Sequence, residues 1–417
     1  MALVDPIFIS ACNALTAPPS PTPLSSGSFP SSFKASLILH DADIDTDSNA
    51  NANDTSYITI WLPPKKSWNG RYAATGGGGL AAGVEYNMIS PLSSGFATSS
   101  TDGGLTLNHT IQPNSALWGL NPDGSLDETL PTDLGWRSTA DTALASKSII
   151  SQFYGEEEKY AYFIGCSQGE RQGYAAAAKY PTLFDGILAA APAVAMEYVG
   201  PAEFWPVVVM ANEGEVVPSC VFEKYQAALL EMCDPLDGLA DGMISDYTLL
   251  NSCSGRFNTS SLIGEEVTCA EANDTSITIT DRHSTIVSNI LGGPIDPSTG
   301  QKYWFGATPG ANFSGVADTL YNPNTGPWTP KPSPPAAGWL QNCYCAKLSG
   351  EIVAAAASSQ KSKREALSIT KLTYKEFFVS FNKSISLGGP YLGDSYLDLT
   401  PFSENSGKLL SWVGLAE

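Results

Sequence analysis

The sequence predicts an α/β protein with a largely parallel sheet. Strand-like and helix-like segments alternate along residues 36–196. Within them, "YAYFIG" (160–165), a helix-like stretch and the apolar "FDGILAAAPA" (184–193) make a continuous strand, helix, strand unit. Strands that alternate with helices usually form parallel sheets covered by helices on both faces.

Composition limits the class of function. The 417 residues include 42 acidic and 22 basic side chains, which gives a formal net charge of −20. This charge repels phosphate backbones and anionic lipids, so it argues against binding to nucleic acid or to a membrane surface. The sequence also has no apolar run long enough to predict a transmembrane helix. A small, neutral or weakly charged substrate fits better.

Several features indicate a secreted, disulfide-containing glycoprotein. The sequence has eight cysteines and six N-glycosylation sequons, at Asn53, Asn108, Asn258, Asn273, Asn312 and Asn382. The start, "MALVDPIFISACNAL", lacks the basic beginning and the long apolar middle of a signal peptide. We therefore expect an extracellular protein whose signal peptide is missing from this sequence.

The individual elements follow from local composition. Residues 1–35 are rich in Pro and Ser and should be extended. "SLILH" (36–40) and "YITIWL" (57–62) predict an antiparallel edge pair, and "RYAAT" (71–75) predicts a strand. A helix is expected from Ser138 to Tyr154, with Ser138 and Asp141 spaced as in a capping box.

The domain organisation is predicted from a change in composition. After residue 196 Trp, Pro, Gly and Asn become more frequent, which predicts an inserted lid domain over residues 197–390. The core, which occupies residues 36–196, should resume at residues 391–417 with a strand from Leu409 to Val413.

A serine motif predicts the reactive group. Gly165, Ser167 and Gly169 match G-x-S-x-G between a predicted strand and a predicted helix. This context is typical of a nucleophile elbow, in which the serine is exposed on a strained turn and the next backbone N–H, here that of Gln168, stabilises an oxyanion. The alternative is a glycine-rich turn with an ordinary serine.

The glycine strip 76–79 predicts the second oxyanion donor. It follows the strand-like "RYAAT", where an esterase of this type needs a backbone N–H, so we expect Gly77 or Gly78 to supply it. A phosphate-binding loop is disfavoured because no Lys-Ser/Thr follows and the chain is acidic. A plain flexible loop is the other alternative.

The stretch "GCSQGERQGYAAAAKYPTLFDGILAAAPA" resembles the signature of the tannase and feruloyl esterase family. "TGGGGLAAG", "CDPLDGLADGMIS", "YWFGATPGA" and "SGKLLSWVGLAE" resemble further segments of that family in the same order. The resemblance covers the chain from about residue 12 onward. It implies an α/β-hydrolase fold with a large lid and hydrolysis of hydroxycinnamic or gallic acid esters by a Ser-Asp-His triad, with Ser167 as the nucleophile.

The end of the chain departs from the family pattern. The resemblance places the triad acid at Glu417, where the family has Asp, and the triad histidine further downstream. His40, His109 and His283 do not fit the order serine, acid, histidine. Cys166 matches one half of a disulfide that in the family joins the segments of serine and histidine, and nothing matches the other half.

These departures predict a nearly inactive chain, because removal of the base costs a serine hydrolase several orders of magnitude in rate. The chain is therefore expected to be either truncated or a degenerate relative. Glu170, where the family has glycine, favours the degenerate relative, since a carboxylate near the nucleophile disfavours an oxyanion.

The acidic segment 233–245 predicts a cation site. Its carboxylates and two backbone carbonyls offer hard oxygen ligands: Asp234, Asp237, Asp241, Leu239 and Met243. Composition alone leaves a structural Ca²⁺ site and a solvated acidic turn both open, and the spacing excludes an EF-hand. The resemblance implies calcium and a Cys233–Cys253 disulfide that closes the turn. A zinc site is disfavoured because Cys343 and Cys345 are too close in sequence.

Two hypotheses result. The first is a secreted serine esterase for aromatic acid esters, with lid aromatics such as Trp304, Phe305 and Trp328 around the acyl group. The second is a non-catalytic relative that keeps the fold and the calcium loop and binds plant phenolics or cell-wall material.

Overall fold

The first two strands pair as their composition predicts. β1 (Phe33–His40) and β2 (Thr55–Leu62) are antiparallel, with Phe33 opposite Leu62. In β2, side chains alternate between buried and half-buried, and Ile58, Ile60 and Leu62 are fully buried. The computed structural model describes residues 33–40, 55–105, 129–191, 193–244, 253, 256–324, 326–340, 369–393 and 398–414.

The remaining strands lie in one large sheet and two small hairpins. They are β3 (Arg71–Thr75), β4 (Ala97–Thr101), β5 (Tyr160–Cys166), β6 (Gly186–Ala190), β7 (Glu266–Cys269), β8 (Thr275–Thr278), β9 (Thr319–Tyr321), β10 (Trp328–Pro330) and β11 (Lys408–Trp412). Among the described residues, seven strands form the large sheet in the order β1-β2-β4-β3-β5-β6-β11. From β4 to β11 all neighbours are parallel.

The helices connect and cover these strands. They are α1 (Ile89–Ser93), α2 (Thr129–Gly135), α3 (Arg137–Tyr154), α4 (Gln168–Lys179), α5 (Met196–Glu213), α6 (Ser219–Cys233), α7 (Asp281–Gly292), α8 (Tyr374–Leu392) and α9 (Thr400–Glu404). Short 3₁₀ helices lie at Glu85–Met88, Asp234–Asp237, Thr259–Leu262, Ala270–Ala272 and Ile369–Lys371. No helix in the described part of the chain is long and apolar enough to span a membrane.

The predicted capping box of α3 is wrong. The residue before the helix is Trp136, which makes no side-chain cap. The Ser138 hydroxyl instead donates to the Asp133 carbonyl at 2.7 Å. The physical reason is that α2 ends only two residues before α3 begins, so Ser138 bonds to the preceding helix.

Residue contacts divide the chain into two compact units. The sheet unit comprises residues 1–121, 126–196 and 388–413, and the insert unit comprises residues 122–125, 197–387 and 414–417. The predicted lid boundaries, 197 and 390, lie close to these limits. Each unit has its own core: the sheet unit packs Ile58, Tyr72 and Phe163, and the insert unit packs aromatic residues such as Phe204 and Phe377.

We expect Gly165→Ala to destabilise the sheet unit. A Cβ at residue 165 would overlap the carbonyl group of Gly169 where α4 crosses β5, so the helix would have to move. Overpacking of this kind costs about 1–3 kcal/mol of unfolding free energy, measurable by urea denaturation. The matched control is Gly389→Ala in α8, where an added Cβ meets nothing within 4 Å. Equal stability of Gly165→Ala and the natural sequence would contradict the crossing geometry.

Candidate functional site

Ser167 lies on a sharp turn between β5 and α4. Its backbone is at φ 56° and ψ −119°, which a residue with a side chain rarely adopts. The turn is held because the Ser167 N–H donates to the Ala190 carbonyl at 2.9 Å, and the Ser167 carbonyl accepts from Glu170 N–H at 3.0 Å. The side chain is half-buried. Strain held by the surrounding structure is common at reactive residues.

The glycine strip packs against the start of α4. A Cβ at Gly76 would lie 2.6 Å from the Cα of Gly169, and a Cβ at Gly169 would lie 2.9 Å from the carbonyl oxygen of Gly77. Only glycine, which has no side chain, allows the strip and the start of α4 to come this close. The structure therefore places the strip beside the residues that directly follow Ser167.

The two oxyanion candidates in the strip differ in this structure. The Gly77 N–H donates to Oε1 of Gln172 at 3.0 Å, so it is already used within the protein. Gly78 pairs with Ala81 in an isolated antiparallel bridge, in which the Ala81 N–H donates to the Gly78 carbonyl at 3.1 Å. Among the described residues, no hydrogen bond uses the backbone N–H of Gln168, so it fits the donor role, because an oxyanion donor must be available to the substrate.

A buried polar network fixes the first turn of α4. Gln168 and Arg171 are fully buried. Nε of Arg171 donates to Oε1 of Gln168 at 2.8 Å, and its NH2 group donates to the carbonyls of Leu134 and Gly135, each at 2.8 Å. These carbonyls lie at the end of α2, where the helix dipole favours a cation. Sequence analysis missed this network, although charged and amide side chains within "GERQGYAAAA" were a signal.

Glu170 is fully buried next to the serine turn. Its Oε1 accepts a hydrogen bond from the Ser411 hydroxyl of β11 at 2.6 Å. The carboxylate thus connects α4 to the last strand of the sheet. Its effect on a developing oxyanion at Ser167 stays a prediction.

Three parallel strands end at the same edge of the sheet. Cys166 of β5 lies opposite Ala190 of β6, and Ala190 lies opposite Trp412 of β11. The chain that follows Trp412 therefore leaves the sheet two strands away from Ser167. Glu417, the predicted acid, lies outside the described residues.

The histidines show no triad geometry among the described residues. His40 ends β1, at the edge of the sheet opposite to β11. In the insert unit His283 is buried, and both of its ring nitrogens have partners: Nδ1 accepts from Thr280 N–H at 3.3 Å, and Nε2 lies 3.0 Å from Oε1 of Glu215. His283 therefore serves as part of the N-terminal cap of α7. His109 lies outside the described residues.

Disulfides account for all five described cysteines. The structure pairs Cys233 with Cys253, as the resemblance implied, and Cys220 with Cys269, a pair that the sequence left open. Cys166 is also disulfide-bonded. Since the other four described cysteines pair with one another, its partner lies outside the described residues.

The acidic loop curls around Asp234 in the insert unit. The buried Asp234 carboxylate accepts from the N–H groups of Asp241 and Gly242, at 3.4 and 2.9 Å. Gly238 and Gly242, at φ 96° and 84°, allow this curl. Asp237 and Asp241 each accept the N–H two residues ahead, from Leu239 and Met243.

The donor chemistry of this loop suits a hard cation, because carboxylates and carbonyls are the ligands that Ca²⁺ prefers. The described residues nevertheless bring no three His, Cys, Asp or Glu side chains together as a metal cluster.

Comparison with known sequences gives consistent matches. The family model described as tannase and feruloyl esterase matches residues 45–417. A probable feruloyl esterase of Arthroderma benhamiae is 34% identical over 370 residues, which cover 88% of this chain and 62% of that protein. Mono(2-hydroxyethyl) terephthalate hydrolase of Piscinibacter sakaiensis is 28% identical over 298 residues, 65% of this chain and 48% of that protein. This chain thus spans less than two thirds of either relative.

Solved structures show the same fold. Tannin acyl hydrolase from Aspergillus niger has a TM-score of 0.69 at 23% identity, over 98% of this chain and 73% of that one. Feruloyl esterase B from Aspergillus oryzae has a TM-score of 0.64 at 19% identity, over 92% of this chain and 66% of that one. The fold is therefore that of an α/β-hydrolase, as predicted.

We expect the stability of the insert unit to fall on acidification because of His283. Burial lowers the pKa of its imidazole, although Glu215 acts in the opposite direction. With a folded pKa below the unfolded value of about 6.5, the unfolded chain binds the proton more readily, so stability is lost as pH falls below about 6.5.

His283→Gln should remove this contribution, since Thr280 and Gln at residue 283 still form a capping box. Urea denaturation of both proteins between about pH 7.5 and 5 measures the difference. An unchanged pH dependence in the variant would assign the effect to other groups.

Proposed function

Because the chain belongs to the tannase and feruloyl esterase family, we propose that it is a serine esterase that hydrolyses esters of aromatic acids. Ser167 is the proposed nucleophile. The backbone N–H of Gln168 and one backbone N–H of the glycine strip are the proposed oxyanion donors. The observation that carries the proposal is the strained turn at Ser167 with the glycine strip packed beside it.

The proposed reaction is acyl transfer through a covalent intermediate. Oγ of Ser167 attacks the ester carbonyl and loses its proton, and the carbonyl oxygen becomes an oxyanion. When the intermediate collapses, the C–O bond to the alcohol breaks and the alcohol leaves with a proton. Water then attacks the acyl-enzyme, releases the aromatic acid and returns the proton to Ser167.

The proton transfers need a base. By the resemblance the base is a histidine that follows the acid, and Glu417 stands at the acid position. None of the three histidines follows Ser167 in the required order. We therefore propose that these 417 residues alone hydrolyse esters slowly, at the rate that the oxyanion hole and substrate binding supply.

The names of the relatives support an aromatic acyl group. They describe esterases of ferulic acid, of tannins and of a terephthalic acid monoester. A hydroxycinnamic or gallic ester is the proposed substrate class. A neutral ester also suits a chain with a formal charge of −20.

Secretion and structural calcium are part of the same proposal. Disulfides are stable in oxidising compartments, and the four described sequon asparagines, Asn258, Asn273, Asn312 and Asn382, are exposed. Calcium would bind the loop of Asp234, Asp237 and Asp241, which the Cys233–Cys253 disulfide closes. A cation bound there stabilises the folded insert unit.

One observation favours a second candidate, a non-catalytic relative that binds phenolics. Phe305 of the insert unit is 71% exposed and packs edge-on against Trp304, which stacks on Tyr198. Exposed aromatic rings bind other rings by stacking. Binding of a phenolic ring to such a surface needs no catalytic base.

We expect slow hydrolysis of methyl ferulate and methyl gallate by this chain, abolished in Ser167→Ala. A chimera that adds the C-terminal residues of the Arthroderma benhamiae relative should raise kcat by about a thousandfold or more, because the resemblance places the histidine base in that segment. Release of the free acid is measured by chromatography.

Ser403→Ala, an exposed serine of α9, is the control and should not change the rate. A folded chimera without hydrolysis of either ester would contradict the esterase. Binding of ferulic acid by that inactive chimera would support the second candidate.

We expect EDTA to lower the melting temperature and excess Ca²⁺ to restore it. At a calcium concentration about 100 times the Kd, binding adds about 2.7 kcal/mol to stability. Asp241→Asn should abolish the calcium response, whereas Glu231→Gln, an exposed carboxylate on α6, should keep it. Identical melting curves of the natural sequence with EDTA and with Ca²⁺ would exclude structural calcium.

A further inference from the structure

Several backbone polar groups of the glycine strip have hydrogen-bond partners in the sheet unit. The Gly76 N–H donates to the Ile164 carbonyl of β5 at 2.9 Å, and the Ala81 N–H donates to the Gly78 carbonyl at 3.1 Å. Backbone groups in a buried loop need partners of this kind. Two further attachments come from side chains.

Gln172 provides the first of these attachments from the second turn of α4. Its side chain is fully buried. Oε1 accepts the Gly77 N–H at 3.0 Å, and Nε2 donates to the Ala82 carbonyl at 2.9 Å. One amide thus joins the strip, and the chain that follows it at Ala82, to the helix that begins directly after Ser167.

Asn87 provides the second attachment, at the first residue of the strip. Its Nδ2 donates to the Gly76 carbonyl at 3.1 Å. Together the two amides bond to the backbone on either side of Gly78. Gly78 itself pairs with Ala81 in an isolated antiparallel bridge.

We propose that Gln172 is a positioning residue that holds the glycine strip beside the serine turn so that a backbone N–H of the strip reaches the acyl oxygen, with Asn87 as its auxiliary. The proposal rests on the proposed esterase function. Gln172 does not touch the reacting atoms, and it acts through the backbone that it binds. Oxyanion donors are effective only when the fold fixes them before the charge develops.

The chemistry of the amide explains why glutamine is needed. The site requires an acceptor for Gly77 N–H and a donor for the Ala82 carbonyl, 3.0 and 2.9 Å away. Methionine has neither group. An ionised glutamate has acceptors only and would repel the Ala82 carbonyl. A protonated glutamate again has one acceptor and one donor.

The first experiment measures hydrogen–deuterium exchange of the peptide that contains residues 76–82, in this chain without any substrate. In Gln172→Met we expect exchange to be at least about tenfold faster, because the Gly77 N–H loses its acceptor. In Gln172→Glu the same peptide should exchange fast at neutral pH. In acid its exchange rate should approach that of the natural sequence, after correction for the intrinsic pH dependence of exchange. Gln152→Met, on the exposed face of α3, is the control.

The second experiment measures methyl ferulate hydrolysis in the C-terminal chimera. Gln172→Met should lower kcat about tenfold to a hundredfold and leave KM within about twofold, since a displaced oxyanion donor affects the transition state. The kcat of Gln172→Glu should recover toward that of the parent as pH falls. Asn87→Ala, which removes a single bond, should lower kcat less and serves if Gln172→Met fails to fold.

The two experiments separate this proposal from the proposed function. If the chimera is inactive but hydrogen–deuterium exchange of residues 76–82 depends on Gln172, the proposed esterase function is contradicted. The attachment of the strip by Gln172 is then still supported. Unchanged exchange in Gln172→Met, or a fall in kcat no larger than in Gln152→Met, would overturn the positioning role. A rise in KM together with the fall in kcat, without recovery of the kcat of Gln172→Glu in acid, would also overturn the positioning role.

Discussion

A close backbone approach on which the serine turn depends lies where α4 crosses β5 and the glycine strip. Gly165, Gly169 and Gly76 have no space for a Cβ there, so three chain segments meet without side chains between them. Ser167, between β5 and α4 at this crossing, has the strained backbone angles φ 56° and ψ −119°. The serine turn, the strip and the start of the helix therefore pack directly against one another.

Polar side chains from the first two turns of α4 stabilise this packing. Arg171 binds carbonyls at the end of α2, Gln172 binds the glycine strip, and Glu170 binds Ser411 of β11. All three are fully buried, so loss of a partner would leave a polar group unsatisfied in a low-dielectric interior. A single helix thus reaches three separate parts of the sheet unit.

Local signals in the sequence were sufficient for most of the fold. Apolar alternation identified β2, and the glycine spacing around Ser167 identified the turn. Features that depend on distant residues were not predictable. The Cys220–Cys269 pair joins residues 49 positions apart, and the role of Gln172 depends on Gly77, 95 positions earlier. The capping box at Ser138 failed because the preceding helix was not foreseen.

The chain leaves the sheet after Ala190 and returns at Lys408 in the adjacent strand. Because β6 and β11 are hydrogen-bonded neighbours, their pairing fixes both ends of the intervening chain, and the loop-closure entropy grows only slowly with the length of that chain. Evolution could therefore enlarge, shorten or replace that intervening module without changing a single strand register. Recombination at these two junctions offers protein engineers a route to new insert modules on an unchanged sheet.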